Sequence, residues 1–156
     1  MLNLTILAVG GVKNNFFKDA IAEYLKWLKP YLKVAVVEIA PESFRSDSDK
    51  ISAKDKEADK ILSYLKKYDK DSVFILDEAG KLYNSVGFAN LLHSRLGKEM
   101  VLVIGGSLGF GEKIYSQGYP KISLSSLTFT HEMARLILAE QIYRAVTIME
   151  GKEYHY

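Results

Sequence analysis

The chain has 156 residues, 48% hydrophobic and 26% charged, with a net charge of +2; it can bury one sizeable core, and its charge alone announces no nucleic-acid partner. It contains no cysteine, which excludes disulfides and thiolate metal sites, and with His93, His131 and His155 as its only imidazoles no metal centre is expected. No apolar run nears the roughly 20 residues of a membrane span, and residues 1–8 lack the basic region and cleavage site of a secretion signal, so the expectation is one cytoplasmic domain over residues 1–156.

In chain order, residues 3–9 (NLTILAV) are predicted to form a strand closed by Gly10 and Gly11. Residues 16–28 place Phe17, Ile21, Tyr24, Leu25 and Leu28 at helical spacing, and the stripe stops before Pro30. Residues 34–39 form a second strand, and residues 41–49 a polar connection. A helix is expected over residues 52–68, with Ala58, Ile61, Leu62 and Leu65 inward and the Lys and Asp residues solvated. Residues 72–77 (SVFILD) make a third strand ending in a turn at Ala79 and Gly80. Ser85 is the expected cap of a helix running to about Leu96, with His93 as a structural residue inside it and Gly97 ending it.

Residues 100–110 (MVLVIGGSLGF) are the centre of the chain. Val101, Leu102, Val103 and Ile104 read as a strand buried on both faces, and it runs straight into glycines. Ligands in open α/β sheets bind beyond the carboxyl ends of strands, and glycine lets a ligand approach the backbone. Gly105, Gly106, Gly109 and Gly111 are more glycines than one turn requires. Neither common phosphate motif fits. Ile114 breaks the dinucleotide spacing that Gly109 and Gly111 begin; at the P-loop spacing of Gly106 and Gly111, Glu112 replaces the lysine and Ile114 the hydroxyl. What remains is an adenosine-like ligand held by backbone groups.

A short helical piece follows at residues 112–116, then a last strand at 121–124 and an irregular loop at 125–129 (SSLTF). Thr130 can cap the final helix, Glu132 suits its positive end, and Gly151 stops it after Met149. Strands alternating with helices predict a parallel sheet covered on both faces. In the last helix Ala134, Leu138, Ile142, Ala145 and Met149 form one stripe. Met133, Leu136, Ile137 and Val146 widen the apolar sector, which fits either a central position or a two-fold interface.

Five segments, LAVGG, VFILDEAGK, VLVIGGSLGF, LSSLTFTHEMAR and EQIYRAVTIMEGKEYH, occur in this order over essentially the whole chain. In order and spacing they resemble the RlmH family of SPOUT methyltransferases. The resemblance implies an α/β knot whose C-terminal segment threads back to form an S-adenosylmethionine pocket. It implies a homodimer that methylates N3 of a pseudouridine in 23S ribosomal RNA, with cofactor contacts at Leu76, Gly105 and Leu124, Ser125, Ser126, Leu127, Thr128 and Phe129. A sulfonium nucleoside carries no phosphate, in keeping with the failed phosphate motifs. Thr130 and Glu153 stand where many members carry proline.

His155 is the first candidate for base or substrate positioner, with Tyr154 beside it. His131, next to the SSLTF loop, is a second functional candidate. Arg135, Arg144 and Lys152 are candidates for RNA phosphates, and Tyr143, Tyr154 and Tyr156 for stacking a splayed base. A SPOUT enzyme acting on transfer RNA and a catalytically silent ribosome-binding module are the alternatives; the intact glycine and SSLTF loops argue against the second.

Overall fold

The protein is described by a computed structural model covering residues 1–155. The elements run β1 (Asn3–Val9), α1 (Asn15–Leu28), β2 (Lys33–Ile39), α2 (Asp47–Leu65), a 3-10 turn (Lys70–Ser72), β3 (Val73–Leu82), α3 (Ser85–His93), β4 (Glu99–Ile104), α4 (Glu112–Tyr115), β5 (Lys121–Ser123) and α5 (His131–Met149). The five strands form one sheet in the order β2-β1-β4-β3-β5, and every pairing is parallel.

β4 is the middle strand, which explains its unbroken apolar run: alternate side chains must enter a core on each face. Leu102 and Ile104 join Leu4, Ile6, Phe88, Leu138 and Ile142 on one face, where α5 packs against α1 and α3. Val101 and Val103 join Leu7, Val9, Ile61, Leu65 and Ile114 on the other, beneath α2 and α4. Among the described residues, no helix is long and apolar enough to cross a membrane.

Three boundaries differ from the sequence-based expectation, each for a local reason. α2 begins at Asp47, inside the expected polar connection, because Ser46 and Asp49 form a reciprocal capping box. Asn84 rather than Ser85 caps α3, its side chain accepting the Gly87 N–H at 2.7 Å, and exposed His93 ends that helix instead of lying within it. β3 does not stop at the turn. It pairs with β5 at Leu76, loops out over residues 77–80 and rejoins the same strand, Lys81 opposite Ile122 and Leu82 opposite Ser123. Gly80 permits this return, since a Cβ there would lie 2.7 Å from the Ile122 backbone.

Candidate functional site

A cavity of about 320 Å³ opens beyond the carboxyl ends of β4 and β5, beside the point where β3 loops out, within the range of small-molecule sites. Five segments line it. β3 and its looped-out segment supply Leu76, Asp77 and Glu78; the end of β4 and the following turn supply Ile104, Gly105, Gly106, Gly109 and Phe110. The loop after β5 supplies Leu124, Ser125, Leu127, Thr128 and Phe129, and the remaining wall is Tyr115, His131 and Ala134. Of the eight cofactor positions implied by the resemblance, seven meet at this cavity; Ser126 is exposed and does not line it.

The glycine turn is shaped by its own packing. The Gly109 amide donates to the Gly106 carbonyl at 3.0 Å, and Gly109 has a φ of 71°, where a side chain would be strained. A Cβ on Gly106 would meet Val9 Cγ1 at 3.0 Å, so the turn lies tightly on the end of β1. The SSLTF loop is held from within by hydroxyls. Ser123 Oγ donates to the Ser125 carbonyl at 2.8 Å, and Ser125 Oγ accepts the Leu127 N–H at 3.0 Å. Thr130 then caps α5, its Oγ1 accepting from the Met133 amide at 3.3 Å, so a cap does stand at the position where proline is frequent.

Asp77 and Tyr115 join the two sides of the cavity. The Tyr115 hydroxyl donates to Asp77 Oδ2 at 2.6 Å, and the Ala79 amide donates to Asp77 Oδ1 at 2.9 Å. Burial, with the Asp77 carboxylate next, pushes the Tyr115 phenol up to about 12, so it remains a neutral donor at physiological pH. Asp77, Glu78 and Tyr115 were not foreseen as site residues. Asp77 and Glu78 directly follow Leu76, the one position marked on β3, but nothing in the sequence indicates that this strand leaves and re-enters the sheet.

The start of α5 is anchored to the turn after β1. Glu132 accepts from the Lys13 amide and from Asn14 Nδ2 (2.8 Å), contacts that hold its carboxyl below the usual range. Gly10, at a φ of 84°, lies beneath His131, whose Nε2 would be 3.6 Å from a Cβ there. Arg135 must be corrected as an RNA-phosphate candidate. It is 2% exposed, donates to the Gly10 carbonyl at 2.7 Å and is paired with Glu38, so its guanidinium ties α5 to the ends of β1 and β2.

The other candidates gather at the opposite end of α5. Tyr154 packs edge-on against Tyr143 at 4.9 Å, and its hydroxyl donates to Glu140 at 3.3 Å. Arg144 is bound to Glu140, lies over the Tyr154 ring and approaches His155 Nδ1 at 3.5 Å. Lys152 is exposed, with its ammonium donating to the Tyr31 hydroxyl. Tyr156 lies outside the described residues. The tail contacts Glu140, Tyr143 and Arg144, six to ten residues beyond Ala134 on the cavity wall, a distance of roughly 9 to 15 Å along the helix axis. Within one chain the structure therefore does not bring Tyr154 and His155 to the cavity.

Comparison with known proteins places these features in a family. Residues 2–155 match the family described as "Predicted SPOUT methyltransferase". The ribosomal RNA large subunit methyltransferase H of Kosmotoga olearia is 37% identical over 158 residues, covering 99% of this chain and 100% of that protein. Two solved structures share the fold at lower identity. A Legionella pneumophila protein in complex with the cofactor SAM is 14% identical, with a TM-score of 0.50 over 92% of this chain, which spans 65% of that one. A protein described as a probable rRNA-methyltransferase from Porphyromonas gingivalis is 17% identical, with a TM-score of 0.52 over 94% of this chain and 69% of that one. The chain belongs to the SPOUT methyltransferase family, and within it to the RlmH family.

Proposed function

We propose that this protein is an S-adenosylmethionine-dependent methyltransferase that modifies N3 of a pseudouridine in large-subunit (23S) ribosomal RNA. It acts as a cytoplasmic homodimer on the large subunit or the assembled ribosome, with residues 1–156 as one domain whose last segment is threaded as a knot. The observation that carries this reading is the composition of the cavity. Apolar side chains and two backbone-rich loops surround a space containing two carboxylates and no lysine or arginine. That chemistry suits a nucleoside with a cationic sulfur and opposes a phosphate. The proposed cofactor contacts are Leu76, Gly105 and residues 124–129, with Ser126 acting through loop geometry.

When bound, the cofactor supplies a methyl group on a sulfonium sulfur. The protein's task is to hold the target nitrogen in line with it and to accommodate loss of the N3 proton, and such positioning can contribute about 7–11 kcal/mol. Tyr154 is suited to placing the base. Burial, then its bond with Tyr24, raises its pKa and keeps the phenol protonated. His155 lies with Nδ1 3.5 Å from the Arg144 guanidinium, and its ring is the second group proposed to position the base. Arg144 and Lys152 are the remaining proposed phosphate contacts.

A homodimer has support in the apolar surface beside the cavity. Leu127, Phe129 and Met133 are 71%, 38% and 36% exposed, next to half-buried Leu136 and Ile137. Covering them is consistent with a standard interface of about 800 Å² per partner.

The test combines calorimetric titration with S-adenosylmethionine and tritiated methyl transfer to ribosomes lacking the modification, with ribosomes lacking the pseudouridine as the control. Saturable binding and transfer only to the first substrate are expected. Equal transfer to both, or transfer only to transfer RNA, would overturn the substrate; absence of binding would overturn the enzyme.

A further inference from the structure

The two carboxylates at the cavity have different surroundings. Asp77 is engaged through both oxygens, by the Tyr115 hydroxyl and the Ala79 amide, so its charge is committed to holding the looped-out part of β3 against α4. Glu78 is the next residue of the same loop. It is exposed, lines the same cavity, and makes no hydrogen bond or ion pair with any described residue. Lys121 forms no ion pair with it; its ammonium lies over the Tyr115 ring, 4.4 Å from the centroid. A carboxylate residue without an ion-pair partner therefore lines a cavity that no lysine or arginine lines.

Such a charge acts on one property in which the two forms of the cofactor differ. The donor carries a positive charge on sulfur; once the methyl group has moved to the RNA nitrogen and that nitrogen has lost its proton, the thioether left behind is neutral at sulfur. The adenosine and amino-acid portions are the same in both. Resting on the function proposed above, we infer that Glu78 is a specificity-determining residue that favours the cationic methyl donor over its demethylated product, promoting loading of the one and release of the other. Asp77 contributes to the same field, but its removal would also free Tyr115 and the loop. Glu78 is the position where charge can be changed with the least change in structure.

The experiment is calorimetry on the intact protein with S-adenosylmethionine and, separately, S-adenosylhomocysteine, for wild type, Glu78→Gln and Glu78→Ala. Loss of a unit charge at the wall of the cofactor cavity, in the dielectric of a protein surface, should weaken donor binding by about three- to tenfold. Product affinity should change by less than about twofold, because the same Coulomb attraction is absent at a neutral sulfur. The wild-type preference should also narrow more at high salt than that of the variants, which retain Asp77. Two variants of different size giving the same shift in the donor-to-product ratio would assign the effect to charge. If both ligands bind the wild type and the ratio is unchanged in the variants, the role of Glu78 is overturned while the cofactor site stands. If neither ligand binds the wild type, the proposed function itself falls, and the role of Glu78 with it.

Discussion

At the scale of single residues, the link between Asp77 and Tyr115 fixes the cavity's shape and also leaves a signature in stability. Tyr115 comes from α4, after the glycine turn, and Asp77 from the looped-out part of β3, so their 2.6 Å hydrogen bond closes the cavity across two elements distant in sequence. In the folded protein the phenol's pKa is raised from 10.0 to about 12, first by burial and then by Asp77. Between those values the unfolded chain loses the proton while the folded chain retains it. The contribution is therefore fully present below about pH 10 and is lost as pH rises toward about 12. Tyr115→Phe removes the titrating group; denaturant unfolding at several alkaline pH values should show a shallower loss of stability in this variant. Parallel curves for variant and wild type would mean that Tyr115 carries no such shift. The variant should also weaken cofactor binding, because Asp77 loses a donor and the loop its tether.

At the scale of elements, what was legible in the sequence followed from periodicity, and what was not followed from contacts between distant segments. The run of residues 101–104 announced a strand buried on both faces, and β4 lies at the middle of the sheet. The glycine turn was read from its residues as a ligand loop, the resemblance added the SSLTF loop, and the two meet at one cavity. The return of β3 to β5 was hidden because it depends on Gly80 passing against the Ile122 backbone, a contact between positions 42 residues apart. The early start of α2 was present in the sequence as Ser46 and Asp49 but was obscured by their polar surroundings. α5 gives the most instructive case. Arg135 sits among apolar neighbours at a spacing that resembles a surface charge, yet its own side chain is buried and bonds the exposed Glu38 and the Gly10 carbonyl. Arg135→Ala should therefore lower stability by about 1.5–3 kcal/mol, the scale of hydrogen bonds to a charged group, measured by denaturant unfolding. RNA affinity of the variant under folding conditions should be nearly unchanged. Full stability combined with weakened, less salt-dependent RNA binding would return Arg135 to the phosphate contacts.

At the scale of the whole molecule, the separation of cavity and tail gives the proposed homodimer a chemical reason. In one chain the cavity lies at the start of α5, while Tyr154 and His155 are held farther along it by Glu140, Tyr143 and Arg144. The exposed apolar residues Leu127, Phe129 and Met133 lie at the cavity end, so a two-fold contact there would bring the second chain next to the first chain's cavity. The tail proposed to position a base at one cavity is then expected to belong to the other protomer. Complementation tests this directly. One variant has a blocked cavity, Gly105→Val, whose Cβ would sit in ordinary contact with Gly109 and Phe110 at 3.4–3.5 Å and whose branches would take space at the cavity wall; the other lacks residues 154–156. Each homodimer should be inactive in methyl transfer, while the truncated protein should keep cofactor affinity near that of wild type. After equal amounts are mixed and allowed to exchange subunits, half of the dimers are mixed, and each contains one intact cavity facing one intact tail. Activity should then recover to about a quarter of the wild-type level for a two-fold dimer. If cavity and tail act within the same chain, no mixed dimer holds a complete site and no activity returns; a monomer in sedimentation at micromolar concentration would remove the premise altogether.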